Sequence, residues 1–215
     1  MIRSEHVQHY LDDLRPRRDD LLTEMEALAQ RDGIPIVEWE TGRLLATLVR
    51  ALKPARVIEV GTAIGYSTVH MAREMGHGQT IHTLERDPER IAAARAFWSR
   101  DGVSDRIELH EGDALESLAA LDGPFDLVFL DATKTEVEDY LRALDGKLSA
   151  RALLVVDNLL MSGEAALPDE HEGRWARDSI VAGRAAARML MASEEWLFSL
   201  LPVGDGVGLA SRRAD

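Results

Sequence analysis

The sequence predicts an α/β fold: a largely parallel sheet with helices on both faces, closed by an antiparallel hairpin. Between Arg56 and Val156, short apolar runs alternate with segments of helical periodicity, the pattern of right-handed βαβ units. A glycine loop, Glu59-Val-Gly61-Thr-Ala-Ile-Gly65-Tyr66-Ser67, joins the first of these runs to a helical pattern. Its glycines let backbone approach a ligand closely, and the helix beyond offers unpaired N–H groups to a carboxylate or phosphate. The end of the chain differs, with Trp196–Leu201 and Val207–Ser211 joined across Pro202-Val-Gly-Asp-Gly206. Two strands and a short glycine turn make a hairpin, so at least one strand runs antiparallel.

The elements follow in order. Residues 4 to 31 read as two helical segments broken near Pro16, and a third runs from about Glu38 to Leu52, where Pro54 ends it. Leu44, Leu45, Leu48, Val49 and Leu52 share one face of that third helix, which should pack on the sheet. Then come strand Arg56–Val60, helix Tyr66–Met75, strand Thr80–Leu84 and helix Pro88–Arg100. Asp87-Pro88-Glu89 supplies that helix with an N-cap, a proline at its first position and an acid in its first turn. Strand Arg106–His110, short helix Ala114–Leu121, strand Phe125–Leu130, helix Thr135–Leu148 and strand Ala152–Val156 continue the alternation. A long helix over about Glu172–Met191 leads into the hairpin.

At 215 residues the chain fits one domain, here a helical N-terminal cap (1–52) on an α/β core (53–215). No cysteine is present, which excludes disulfides, thiolate zinc sites and a cysteine nucleophile. The opening Met1-Ile-Arg-Ser-Glu-His lacks the apolar core of a signal peptide, and no apolar run is long enough to span a membrane. A cytoplasmic protein without membrane contact is expected. The net charge of −13 opposes non-specific attraction to nucleic acid or anionic lipid.

In open α/β sheets ligands sit beyond the carboxyl ends of the strands, and here those positions are acidic. Glu59, Glu85, Asp113, Asp131 and Asp157-Asn158 stand at or just after successive strand ends. Glu85 follows the glycine loop at the distance where an acid binds ribose hydroxyls in nucleotide-binding βαβ units. Asp131, Asp157 and Asn158 form an all-oxygen set of the kind that suits Mg²⁺. Lys134, three residues past Asp131 at a helix start, is placed to act as a general base. Two further features read as surface: His6 and His9 on the first helix, with the other histidines scattered without ligand spacing, and the arginines Arg174, Arg177, Arg184 and Arg188 on one helix face. The sharper reading of the arginines, together with Arg15, Arg17 and Arg18, is contact with RNA phosphates.

Taken jointly, Val57-Ile-Glu59-Val-Gly61-Thr-Ala-Ile-Gly65-Tyr-Ser67, Leu84-Glu85-Arg-Asp-Pro, Gly112-Asp113-Ala114, Phe129-Leu-Asp131-Ala-Thr-Lys134, Val156-Asp157-Asn158 and Leu201-Pro-Val-Gly-Asp-Gly206 resemble the cation-dependent class I O-methyltransferases. That family includes catechol and caffeoyl-CoA O-methyltransferases, and the likeness covers nearly the whole chain. It implies a Rossmann-like fold with a seven-stranded sheet whose last strand is antiparallel, an S-adenosylmethionine cofactor, a divalent cation such as Mg²⁺, and a homodimer. By the same resemblance Glu59, Gly61, Gly65, Tyr66 and Ser67 hold the methionine portion, Glu85 the ribose, and Asp113 and Ala114 the adenine side. Asp131, shared between cofactor and metal, would bind the cation with Asp157 and Asn158, while Lys134 deprotonates the substrate. Such chemistry asks for a hydroxyl beside a second oxygen, because two-point chelation lowers the hydroxyl's pKa and fixes the angle of attack.

Two positions depart from the pattern. Thr133 stands where many members have a second aspartate, and Met161 where many have a tryptophan that would wall a flat phenol. Gly-Thr-Ala-Ile-Gly-Tyr-Ser, with His9-Tyr-Leu, Arg15-Pro16-Arg17 and Ile34-Pro35-Ile36, is similar to the bacterial branch that methylates 5-hydroxyuridine in tRNA, a base with a hydroxyl next to a carbonyl. The substrate is thus either a small hydroxylated molecule or tRNA. A nicotinamide-dependent oxidoreductase is disfavoured, since the loop reads G-x-x-x-G where a dinucleotide site wants G-x-G-x-x-G. A non-catalytic nucleotide-binding module is the remaining alternative, which any turnover would exclude.

Overall fold

The computed structural model describes residues 4–17, 19–168 and 173–213. Met1–Arg3, Arg18 of the basic cluster and Glu172, the expected start of the last helix, lie outside the described residues. Strands β1 (Arg56–Val60), β2 (Thr80–Glu85), β3 (Ile107–Glu111), β4 (Phe125–Leu130), β5 (Leu148–Val156), β6 (Trp196–Leu201) and β7 (Val207–Arg212) form one sheet in the order β3-β2-β1-β4-β5-β7-β6. β1 to β5 pair in parallel, whereas β7 runs antiparallel to both β5 and β6. The expected hairpin therefore folds back so that its second strand lies inside the sheet and its first forms the edge. Val60 is level with Leu84 and Leu130, and Leu130 with Val156. The acids that follow these residues come out along one rim, and the chain departs in opposite directions on either side of the β1–β4 pair, where such sheets bind ligands.

Because side chains alternate along a strand, each strand feeds two cores. On one face Val57, Ile81, Leu127, Phe129, Leu153 and Val155 pack with Met25 of α2 (Asp20–Asp32), Leu45 and Val49 of α3 (Trp39–Leu52), Val69 of α4 (Tyr66–Ala72) and Phe97 of α5 (Pro88–Asp101). On the other, Ile58, Val60, Leu84, Val128, Leu130, Leu154 and Val156 meet Leu118 of α6 (Ala114–Ala120), Tyr140 of α7 (Val137–Ala143), and Ala186 and Leu190 of α8 (Arg177–Ala192). The first helix, α1 (Glu5–Asp13), buries no residue. Asp87 caps α5 as its sequence suggests, accepting from the backbone N–H of Glu89 at 2.9 Å and of Arg90 at 3.2 Å. Gly102, at φ 73°, ends that helix in the left-handed conformation glycine adopts without strain.

Several boundaries differ from the sequence reading. α4 stops at Ala72, and α7 is a shorter helix entered through a 3₁₀ turn at Lys134–Glu136. α7 cannot run on to Leu148, because Gly146 turns left-handed at φ 71° and the carbonyl of Lys147 accepts from the N–H of Phe125 at 2.8 Å. That bond starts β5 at Leu148, with a register shift against β4 between Phe125 and Leu127. The 3₁₀ turns at Ser104–Arg106 and Met161–Ala166 are too short for periodicity to reveal. Among the described residues, no helix is long and apolar enough to cross a membrane.

Candidate functional site

Beyond the strand ends lies a cleft of about 440 Å³, lined among others by Gly61, Glu85, Asp113, Asp131, Lys134 and Asn158. Pro35, just before α3, and Trp175, just before α8, contribute to its walls. The main chain fixes the rim. The N–H groups of Gly61 and Thr62 both donate to the Leu84 carbonyl, that of Gly112 to Glu85, that of Asp131 to Val60, and that of Asp157 to Leu130. Gly61, Asp131 and Asp157 thus each hang on a ladder bond continued one step past a strand end.

On the glycine-loop side, Glu85 is held by three backbone donors: Ala63 N–H on Oε2 at 2.8 Å, and Arg86 and Asp87 N–H on Oε1 at 3.0 Å each. A carboxylate has about four lone-pair sites, so Glu85 keeps capacity for a hydroxyl in the cleft. Asp113 accepts from the N–H of Leu115 at 2.9 Å and of Glu116 at 3.2 Å, which makes it the N-cap of α6 at the cleft mouth beside Ala114. Gly61 lines the cleft at φ 100°, and a Cβ there would strike the Asp131 carbonyl. The loop can therefore lie flat against the end of β4 only with glycine at this position.

Glu59, Gly65, Tyr66 and Ser67 lie behind the cleft wall and do not line it. Glu59 is fully buried and accepts from the hydroxyls of Ser67 at 2.5 Å, Thr68 at 2.6 Å and Thr83 at 2.6 Å, tying β1 to β2 and to the start of α4. Burial pushes its pKa up to about 7 against these three donors, and the charge of Asp131 acts in the same direction. Gly65 is the left-handed N-cap of α4 and leaves room for the Trp98 indole. The Tyr66 hydroxyl donates to Glu26 at 2.7 Å, on the side of a separate cavity of about 190 Å³ that Arg15, Trp39 and His70 also line.

On the other side of the rim the carboxylates gather. Asp157 is 1% exposed, and its Oδ1 has no hydrogen-bond partner. Burial, then the charge of Asp131, push its pKa up to about 8. Asp131 is raised too, by burial and by Asp205, with Lys134 opposing. Lys134 is buried, with Nζ donating to the Ala132 carbonyl at 3.1 Å and lying 3.9 Å from Asp131 Oδ1. Asn158 sits in left-handed backbone at φ 55°, and its Nδ2 donates to Asp157 Oδ2 at 3.3 Å. The structure therefore brings Asp131, Lys134, Asp157 and Asn158 together, as their spacing suggested. Like charges crowded away from water are held together at the cost of ionisation, unless a cation compensates them.

Three residues escaped the sequence reading. Asp205, at the tip of the β6–β7 hairpin, joins the Asp131 and Asp157 carboxylates electrostatically and accepts from the Ser162 hydroxyl at 2.8 Å. The signal was present in Val-Gly-Asp-Gly206, but a hairpin tip reads as a turn until the strand order places it. Trp175 and Tyr140 give the cleft aromatic surface. Met161, by contrast, is fully buried, packs against Gly183 of α8 and does not line the cleft. The arginine face also changes: Arg184 donates to the carbonyls of Ala165, at 2.8 Å, and Leu167, so it holds the turn before α8, and Arg174 precedes the helix. Thr133 is exposed at the cleft edge.

Residues 16–213 match the family model described as O-methyltransferase. The chain is 38% identical over 142 residues to a catechol O-methyltransferase of Mycobacterium tuberculosis, a match spanning 64% of each chain. It is 26% identical over 222 residues to a caffeoyl-CoA O-methyltransferase of Stellaria longipes, covering 99% of this chain and 92% of that one. Its fold superposes with a TM-score of 0.83 on the O-methyltransferase TomG of Streptomyces achromogenes, solved in complex with S-adenosylmethionine, at 26% identity over 97% of this chain and 96% of that one. With Gly61, Glu85 and Asp113 presented to one cleft at the sheet's switch point, the chain belongs to the O-methyltransferase family and is an enzyme of the S-adenosylmethionine-dependent kind.

Proposed function

We propose that the protein is a cytoplasmic, divalent-cation-dependent O-methyltransferase acting on a hydroxyl next to a second oxygen, as in a catechol. The observation that carries the cation is the buried Asp157 Oδ1, without a hydrogen-bond partner beside Asp131 and Asp205. All-oxygen donors of this kind suit a hard cation such as Mg²⁺, with Asp131, Asp157 and Asn158 as its ligands. When bound, S-adenosylmethionine would supply a methyl group on a sulfonium, and the cation would make a chelated hydroxyl acidic. Gly61 lets the methionine portion approach the backbone, Glu85 accepts from ribose hydroxyls, and Asp113 and Ala114 border the adenine. Lys134, with Nζ 3.1 Å from the Ala132 carbonyl and 3.9 Å from Asp131 Oδ1, is positioned to take the proton of the substrate hydroxyl when its amine is neutral. Trp175 offers ring surface to a flat substrate.

The test is methylation of a small catechol followed by mass spectrometry, with and without chelator. Chelation should abolish turnover and Mg²⁺ restore it, and Asp131→Ala should lower kcat by about 10²-fold or more. Turnover that survives both the chelator and Asp131→Ala would sink the reading.

A second reading, with 5-hydroxyuridine of tRNA as substrate, is supported by the exposed Arg17 and Arg43 beside Trp39 at the smaller cavity. Hypomodified tRNA run in the same assay separates the two. A homodimer is supported by the exposed Val7, Tyr10 and Leu14 on or beside α1.

A further inference from the structure

The histidines look scattered along the chain, yet the parallel pairing of β2 with β3 sets His82 level with Glu108 and Leu84 level with His110. Residues 82, 108 and 110 therefore share one face of the sheet at its edge. His82 Nδ1 lies 3.2 Å from His110 Nε2 and 3.3 Å from Glu108 Oε2. The three ligand atoms all fall within 4.8 Å of one another, and the two imidazoles stack at 5.4 Å between centroids. Bonds of about 2.0 Å in a tetrahedron put neighbouring ligand atoms about 3.3 Å apart, the spacing seen here for both contacts of His82 Nδ1.

We propose that His82, Glu108 and His110 form a binding site for a borderline divalent cation of the Zn²⁺ class, separate from the oxygen-donor set of the cleft. Two imidazoles and a carboxylate favour such an ion over Mg²⁺. None of the three residues lines the cleft, and His82 stands three residues before Glu85, about 10 Å back along β2. His82 is buried, but the Glu108 side chain is 60% exposed, which leaves the ion open to solvent and a fourth position for water. With two ligands on the edge strand and one on its neighbour, the ion would staple β3 to β2.

Arg56 sets the conditions for binding. Its Nε and Nη2 lie 3.3 and 3.2 Å from His82 Nε2, so the guanidinium donates to that nitrogen and the imidazole proton sits on Nδ1. A cation at Nδ1 displaces that proton, and Nε2 must then carry the hydrogen and can no longer accept from Arg56. The guanidinium has to turn aside, while its Nη1 can keep the Asp122 carbonyl at 2.6 Å. Arg56 thus competes with the ion, and a glutamine there would instead accept from Nε2–H and orient the ring.

The experiment titrates Zn²⁺ alone into tag-free, metal-stripped full-length protein, read by calorimetry and thermal melting. One equivalent should bind and raise the melting temperature, and excess Mg²⁺ should not displace it. His110→Ala, at a half-buried edge position, should fold and weaken binding at least about ten-fold, and Glu108→Gln should act likewise. Arg56→Gln should tighten it. Binding should persist in His6→Ala/His9→Ala, which removes the other close histidine pair, and in Asp131→Ala, which disables the cleft. Failure of the cleft reading thus leaves this one untouched. No binding, or binding unchanged in folded His110→Ala, overturns the proposal.

Discussion

His70 of α4 has its Nε2 buried without a partner and its ring edge-on to Tyr66 at 4.8 Å between centroids. Gly42 of α3 lies so close that a Cβ there would meet the imidazole. Burial, then the positive charges of Arg73 and Arg43, push the His70 pKa down to about 4. A histidine whose folded pKa lies below its unfolded value near 6.5 is neutral in the folded protein. Its favourable contribution is therefore full above about pH 6.5 and is lost as pH falls toward 4. The protein should lose up to about 3 kcal/mol over that window from this group, and His70→Leu should flatten the slope in urea unfolding measured at pH 7.5 and pH 5. An unchanged slope would assign the acid sensitivity to another group. Nothing in the sequence marked His70, because a lone histidine in an apolar helical stretch says nothing of what surrounds it. Asp131, Asp157 and Asn158 were legible for the opposite reason, as their place at strand ends is itself a sequence property.

Among the elements, the β6–β7 hairpin does more than close the sheet. Its tip accepts the N–H groups of Leu159 on the Gly206 carbonyl, and of Leu160 and Met161 on the Asp205 carbonyl. These bonds hold a segment in which Asn158, Met161, Ser162 and Gly163 all have positive φ, a conformation that persists only where surroundings over-determine it. Gly206, at φ 93°, has the Leu160 backbone nitrogen and side chain where a Cβ would go. Gly206→Ala should push the hairpin off this segment, displace Asn158 and cost about 10²-fold in kcat. The comparison of kcat with the melting curve checks it, and unaltered turnover would detach the hairpin from the site. The hairpin was legible as an element through its glycine turn. Its role as a buttress was not, because that depends on β7 inserting beside β5, a pairing between residues far apart in the chain. The same distance hid Trp175 as a cleft residue and made Met161 look like one.

For the whole molecule, the two cores decide which parts of the chain are integral. α2 reads as part of a cap, yet Met25 is fully buried in the same cluster as Leu45 and Phe129. Met25→Ala should therefore cost about 2–5 kcal/mol in chemical unfolding, and Tyr10→Ser on α1, where the side chain is 64% exposed, within about 0.5 kcal/mol. Equal effects would mean that both helices sit on the core alike. The alternation of strand and helix, the glycine loop, the capped start of α5 and the acids at strand ends were all readable in advance, because each depends on short-range periodicity or on the backbone preferences of single residues. Pairing and register were different. They exposed the unpartnered oxygen of Asp157, turned Tyr66 toward Glu26, spent Arg184 on backbone carbonyls, and brought His82 to His110 across two strands. Such meetings depend on the cooperative packing of the entire sheet, and no local stretch of sequence carries that information.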